Sequence, residues 1–425
     1  MSIQHSHGQS RGDVVAKSSL LLVLPLPLQY DEEGKLLIES QAANGLERWV
    51  ENFPKVTAAC VLTPDAALKS RSTLTWRKVE ELPCGDKVDV VPLPWAFKPL
   101  RFMSHYRATR EVLRTLIQQA DYLVFGICFL WGDWAALACL EAKRQGRPYA
   151  VWTDVVDYQN LRWAAEKKPL LRRIYEKHLL ANALRGYHHY LIRKSSLGLF
   201  HGMDCFRAYL PYSRNPHVVH NIHLKKSDSI TPEHLEAKAA EVRHGAKLRI
   251  GYAGRADNSK GAADWIEAIK SLLDQGVDVE ATWLGDGPAL GTMRETVRTM
   301  GLAARIQLPG YESDHRKVLK FLENLHVLMF CHKTLESPRI LIESLVCGTP
   351  IVGYDSPYPR DLLGELDCGT LTHKDDILAL AAAVAHLDRH RDELARKIMS
   401  TAPMSETYND EAVFRHRSEI IIKYP

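Results

Sequence analysis

No two of the eight cysteines (60, 84, 128, 139, 205, 331, 347 and 368) stand at CxxC spacing. They are scattered through apolar surroundings such as Gly126-Ile127-Cys128-Phe129 and Phe330-Cys331-His332, which excludes a thiolate zinc or redox motif and predicts buried free thiols in a reducing compartment. Uninterrupted apolar runs of the roughly 18 residues a membrane-crossing helix needs are missing as well, so the chain is expected to be soluble or at most peripheral. There is no Gly-x-Ser-x-Gly elbow, which argues against a serine hydrolase. A loop Asp-x-Asp pair of the kind that holds a divalent metal is also lacking, as are fixed-period repeats and low-complexity tracts. One-sided charge is scarce: 55 Lys and Arg against 51 Asp and Glu leave a formal net charge of +4. That balance, without a recognisable binding module, argues against a nucleic-acid partner.

What is present is an ordinary globular composition, 46% hydrophobic and 25% charged over 425 residues. The length suffices for two cores of about 200 residues each. The apolar run Leu20 to Leu28 follows Arg11 and Lys17, as in a secretory leader. Its two prolines and the Asp31-Glu32-Glu33 that follows favour a buried first strand instead. Further strands are read at Val56–Leu62, Val88–Leu93, Tyr122–Ile127, Pro148–Thr153, Gly198–Phe200 and His217–His220, with helices such as Lys35–Glu51 and Trp134–Arg144 between them. Alternating strands and helices imply βαβ units and a parallel sheet.

Residues 225–246 are poor in large apolar side chains and read as an interdomain connection containing a polar helix. From Leu248 the alternation resumes. Strand Leu248–Ala253 is followed by helix Ser259–Gln275, strand Val277–Leu284 and helix Pro288–Gly301, and then by helices and strands in turn to Arg389. The organisation expected is a flexible start (1–18), a first Rossmann-like domain (19–224), the linker (225–246), a second such domain (247–402) and a C-terminal helix (403–425). Val413, Phe414 and Ile420 to Ile422 give that last helix an apolar face for docking on the first domain.

Two doubly wound domains in series place the carboxyl ends of two parallel sheets around one cleft, where such sheets bind ligands. In the second domain the loop after the first strand reads Gly254-Arg255-Ala256-Asp257-Asn258-Ser259-Lys260-Gly261. Arg255 and Lys260 can put a fork and a point charge on one diphosphate, or else be two solvated loop charges beside a helix capped by Ser259. Further on, Ser337 is a good N-cap and Pro338 a good first helical residue for a helix reaching Cys347, so free N–H groups would face an anion there. Glu343 is the sole charged residue between Ile340 and Ile351. A carboxylate in so apolar a helix needs a specific partner: a ribose diol, a loop backbone group or an arginine.

Taken together, Gly254-Arg255 with Lys260-Gly261, then Gly285-Asp286-Gly287-Pro288, then Glu336 with Glu343-Ser-Leu-Val-Cys-Gly-Thr-Pro resemble, in order and spacing, the retaining GT-B glycosyltransferases of family four. The resemblance covers roughly residues 248 to 395. It implies an α/β GT-B fold, two Rossmann-like domains facing a central cleft, with a C-terminal helix returning to the first. By that resemblance Arg255 and Lys260 hold the donor diphosphate, Glu343 binds the ribose and Glu336 contacts the transferred sugar. Gly254, Asp286, Arg339 and Ile340 complete the donor site, and Asp154, with Asp157 next, faces the sugar from the first domain. Six residues separate Glu336 from Glu343 where the family usually has seven, and the first loop, Gln29 to Gly34, lacks the family's paired glycines.

The reaction implied is transfer of a glycosyl group from a UDP- or GDP-sugar to an acceptor hydroxyl on a glycan, a lipid-linked sugar or a small molecule. Retention of configuration, no metal and no further cofactor are expected. A catalytically inactive nucleotide-binding descendant, an epimerase or a phosphorylase would share the cleft. Between Leu161 and Lys194 nine Lys and Arg face two Glu, with Trp163, Tyr175 and Tyr187 interleaved. That segment is either a solvated basic face or a contact with the inner face of a membrane, from the cytoplasm. Trp131, Trp134 and Trp152 suit either sugar stacking or core packing.

Overall fold

The strand and helix alternation resolves into two parallel sheets in a computed structural model that describes residues 18–64 and 74–424. The start of the expected flexible segment, through residue 17, lies outside the described residues. The first unit runs β1 (Leu20–Tyr30), β2 (Leu36–Glu39), α1 (Ser40–Trp49), β3 (Val56–Leu62), β4 (Trp76–Lys78), β5 (Val88–Pro94), α2 (Pro99–Gln119) and β6 (Tyr122–Gly126). It continues with α3 (Trp134–Arg144), β7 (Ala150–Thr153), α4 (Asp157–Ala165), α5 (Leu170–Ile174), α6 (Ala181–Lys194), β8 (Leu197–His201), α7 (Gly202–Tyr209) and β9 (Pro216–Val219). A π-helical stretch, Tyr175–Leu180, fuses α5 to α6.

The second unit runs α8 (Pro232–Arg243), β10 (Leu248–Ala253), α9 (Ala262–Asp274), β11 (Val279–Leu284), α10 (Leu290–Thr299), β12 (Ile306–Gly310), α11 (His315–Asn324) and β13 (Val327–Phe330). After these come α12 (Arg339–Val346), β14 (Ile351–Tyr354), α13 (Pro357–Leu363), β15 (Gly369–Thr372), α14 (Ile377–Arg389), α15 (Arg391–Met399), α16 (Met404–Thr407) and α17 (Asp410–Lys423).

Strand order in the second sheet is β12-β11-β10-β13-β14-β15. All its pairings are parallel. The first sheet repeats that winding as β5-β3-β1-β6-β7-β8-β9. In both, the order reverses beside the first strand, between β1 and β6 and between β10 and β13, which opens a crevice at the carboxyl edge. The strands there are buried on both faces, as parallel sheets covered by helices require: Leu20 to Val23 and Val327 to Phe330 are at most 1% exposed.

The predicted helix Lys35–Glu51 is corrected. Residues 36–39 form β2, which folds back antiparallel on β1 and pairs β4 in turn, and α1 begins only at Ser40. The Asp31 carboxylate accepts from the N–H groups of Glu33 and Lys35 and closes the turn that forces this hairpin. Helix α8 of the connecting segment packs on α15, with Leu235, Ala239 and Val242 buried in the second core. Helix α17 returns to the first unit. Its Phe414 stands edge-on to Trp49 at 5.2 Å, and Arg48 donates to Asp410 at 2.8 Å. Among the described residues the cysteines are free thiols, six of them buried. No described helix is long and apolar enough to cross a membrane.

Candidate active site in the interdomain cleft

The loop leaving β10 and the loop leaving β13 meet at the reversal point of the second sheet. Asp257 shapes the first: its carboxylate accepts from the N–H groups of Ser259 and Lys260 and closes a single 3-10 turn, Asn258–Lys260. The predicted helix start at Ser259 is corrected accordingly. Asp257 caps only that turn, and α9 starts three residues later, with Gly261 at a left-handed φ of +67° in its N-cap position and no side-chain cap. A Cβ at Gly261 would lie 2.1 Å from the Cys331 carbonyl oxygen, so only glycine lets this turn sit against the end of β13.

That close approach delivers Lys260 to the second loop. Its Nζ donates to Glu336 Oε2 at 2.6 Å, and both side chains are largely buried. Arg255, by contrast, projects into solvent with a loose contact to Asp257 at 3.7 Å. Asp286 sits in the adjacent loop. Its carbonyl accepts from Ala256 N at 2.9 Å, which ties the Gly254 and Gly285 loops together while its carboxylate stays exposed.

Helix α12 starts one residue later than predicted. Pro338 occupies the N-cap and Arg339 the first turn, and no side chain caps the helix. Ser337 cannot act as cap because its hydroxyl donates across the cleft to the His201 carbonyl at 2.9 Å. Arg339 and Ile340 lie half-buried at that helix start. The carboxylate of Glu343 lies 3.5 Å from His315 Nε2, a partner that neither a loop backbone group nor an arginine had suggested. Burial works against the charge, yet the His315 bond and the Arg339 charge hold Glu343 below the usual carboxylate range. The same bond raises His315 above the usual histidine value, against its own burial.

From the first sheet, Asp154 follows β7 and accepts from Trp152 Nε1 at 2.8 Å. Val155 forms an antiparallel bridge to Glu336, so the two loops that carry Asp154 and Glu336 run side by side. One turn on, burial pushes the Asp157 carboxyl up to about 8, helped by Asp133 and Asp154. Trp134 is core, donating to the Pro94 carbonyl, while Trp131 is partly exposed against Phe102.

Two residues that sequence reasoning had passed over complete the cleft floor. His201 Nε2 lies 3.0 Å from the Ser337 carbonyl, and its Nδ1 lies between the Asn221 N–H at 3.1 Å and the Val219 carbonyl at 3.3 Å, with burial favouring the neutral ring. Arg417 of α17 is 1% exposed, with its guanidinium over Phe414 (4.5 Å) and Trp152 (4.9 Å) and donating to the His220 carbonyl. Burial lowers it to about 10, opposed by the nearby Asp154 charge. A signal did exist: Arg417 falls on the apolar stripe of Val413, Phe414, Ile420 and Ile421, where an unpaired cation is costly. Among the described residues no group of three or more His, Cys, Asp or Glu could hold a metal ion.

Residues 235–403 match the family described as glycosyl transferases group 1. The 2-deoxystreptamine N-acetyl-D-glucosaminyltransferase of Streptomyces fradiae is 31% identical over 156 residues, 35% of this chain and 37% of that one. The chain therefore spans well under half the length of that relative. The amylovoran biosynthesis glycosyltransferase AmsK of Erwinia amylovora is 23% identical over 61% of this chain and 72% of its own. Alr3699/HepE of Anabaena, solved in complex with UDP, superposes with a TM-score of 0.62 over 96% of this chain and all of that one, at 13% identity. That likeness is one of fold, the GT-B arrangement of two Rossmann-like units.

Proposed function

We propose, from the premise that this chain's C-terminal half belongs to the group 1 glycosyltransferases, that the whole protein transfers a glycosyl unit from a UDP- or GDP-sugar to an acceptor hydroxyl with retention of configuration. The observation that carries the reading is the junction at Glu336: it accepts from Lys260 and bridges to Val155, so three chain segments meet where a donor sugar would react. Charge builds on the departing diphosphate in such a transfer, and preorganised donors aimed there lower the barrier. Lys260, Arg255 and the open N-terminus of α12 would supply them, with Gly254 and Asp286 in the flanking loops and Ile340 and Arg339 at the helix start. Glu343 would accept from the ribose hydroxyls and Asp154 would face the sugar.

UDP at 100 times its dissociation constant is expected to stabilise the protein by about 2.7 kcal/mol. With cationic side chains and helix N–H groups in place of a metal, that stabilisation should be the same in EDTA. Thermal-shift titrations with UDP and GDP, with and without chelator, measure it. Glu343→Gln should weaken the nucleotide roughly tenfold, as expected for one hydrogen bond to a charged group. A shift that vanishes in EDTA, or a Glu343→Gln variant that binds like the wild type, would remove the corresponding part of the model.

We further read the acceptor as a glycan or lipid-linked sugar met at the cytoplasmic face of a membrane. The support is local. In α5 and the π-helical stretch, Leu170, Leu171, Ile174, Tyr175 and Leu179 are all exposed, Leu171 by 83%, among Lys167, Arg172 and Arg173. Vesicles containing phosphatidylglycerol should co-sediment the protein, and phosphatidylcholine vesicles should do so poorly; equal recovery on both would discard the membrane contact.

A further inference from the structure

Beneath the loop that carries Asp154, a cavity of about 340 Å³ opens between β1, α1 and the returning helix α17. Its body is apolar, walled by Leu24, Pro25, Leu26, Leu46, Trp49 and Phe414, and its rim carries Asp154, Asp157, His223 and Arg339. The volume is that of a small-molecule site, with an apolar body and a set of polar side chains that also includes Glu39, Gln41 and Asn221.

Three observations give it a purpose. First, Gly45 lies within α1 and lines the cavity. A helical glycine there costs about 1 kcal/mol relative to alanine, yet the nearest atoms a Cβ would meet, Phe414 Cζ at 3.5 Å, His223 Cε1 at 3.6 Å and Phe414 Cε1 at 3.9 Å, are ordinary contacts. Packing therefore does not require glycine. What glycine preserves is the empty space beside it. Second, the chain here is Leu24-Pro25-Leu26-Pro27, whose prolines present no N–H, so this wall is built for an apolar surface rather than for phosphate or sugar hydroxyls. Third, His223 Nδ1 is buried without a hydrogen-bond partner, and His223 is held neutral by burial and the nearby Arg339 and Arg417 charges. One uncharged polar atom at the rim thus awaits a partner.

We infer that this cavity receives an apolar group of the acceptor, an alkyl or ring-system aglycone carried next to the hydroxyl to be glycosylated, with that hydroxyl at the rim beside Asp154. The inference rests on the glycosyltransferase reading and narrows its acceptor class. It makes Gly45 a residue that decides which acceptors enter.

Hexyl β-D-glucopyranoside and methyl β-D-glucopyranoside share a polar head and differ in the apolar tail, so calorimetric titration of each into the full chain, with and without UDP, isolates the tail. The hexyl compound should bind at least tenfold more tightly, with a more negative heat-capacity change. Gly45→Leu should bring the two within twofold of each other while UDP binding stays at the wild-type level. Gly45→Ala, which fits the helix and raises its propensity, should fold at least as stably and keep most of the difference. Equal affinities, no measurable binding of either, or a preference that survives in Gly45→Leu would overturn the inference. Loss of UDP binding by the wild-type protein would instead count against the donor reading, and the titrations without UDP judge the cavity separately.

Discussion

Lys260→Ala is expected to lower kcat for glycosyl transfer by about 10²- to 10³-fold, the range seen when one preorganised donor to a developing negative charge is removed. Lys260 is paired with Glu336 at 2.6 Å, so the substitution has two consequences that must be separated. It removes a cation from the proposed reaction centre, and among the described residues it leaves the Glu336 carboxylate, largely shielded from water, with the Thr334 hydroxyl at 3.3 Å. The second effect is one of stability and should cost about 1–3 kcal/mol. Lys260→Ala combined with Glu336→Gln relieves it, because no unpaired charge remains. Recovery of thermal stability in the double variant without recovery of kcat is the expected pattern, measured by calorimetry and by release of nucleoside diphosphate. A single variant whose kcat stays within threefold of wild type would sink the assignment of Lys260 to the leaving group.

Gly202→Ala should be strongly damaging, because the added methyl group falls where the two units touch. Gly202 opens α7 with φ +70°, and a Cβ there would lie 2.1 Å from Ser337 Oγ and 2.8 Å from Ser337 Cβ. Turning the Ser337 hydroxyl away cannot relieve the second clash, and it would forfeit the bond to the His201 carbonyl. The two units therefore have to part at this point, and with them the His201 to Ser337 bond and the Val155 to Glu336 bridge. A left-handed alanine by itself costs about 1–2 kcal/mol. Together the losses are expected to reach about 3–5 kcal/mol, with a larger radius of gyration in solution scattering and loss of transfer activity. Gly146→Ala is the control. It has nearly the same φ of +67° but nothing within 4 Å of the added Cβ, so it should show the backbone cost alone. Equal destabilisation of the two variants would mean that the Gly202 contact does not hold the cleft together.

The second unit was the more legible in sequence because its strands are short, apolar and separated by glycine loops, and each helix carries a clear apolar stripe. Its strand and helix order as far as β14 could be written down to within a few residues at most boundaries, but helix α13, strand β15 and helix α15 were not read from the sequence. One misplacement arose because a side chain that could serve locally was recruited over a longer distance. Ser337 is a good cap by type, but across the cleft it satisfies the His201 carbonyl. Ser259 does not cap α9: it sits inside the 3-10 turn that Asp257 caps, and α9 starts only after Gly261 has turned the chain against Cys331. In the first unit, Leu36-Leu37-Ile38-Glu39 is as apolar as a helix start, and only pairing with the far end of β1 makes it a strand. The turn at Asp31 to Gly34 was nevertheless visible in the residues themselves.

The amino-acid sequence alone pointed to the α/β class of the fold and to Arg255, Lys260 and Glu343 as candidate donor residues, through local periodicity, glycine placement and motif spacing, while Glu336 joined them through the family resemblance. Tertiary structure alone decided which of those residues touch. It joined Lys260 to Glu336 while leaving Arg255 in solvent, paired Glu343 with His315, and set His201 and Arg417 beneath the cleft. The physical reason is that hydrogen bonds and ion pairs between residues tens to hundreds of positions apart depend on how two sheets and a returning helix are packed, and nothing in the local sequence records that packing.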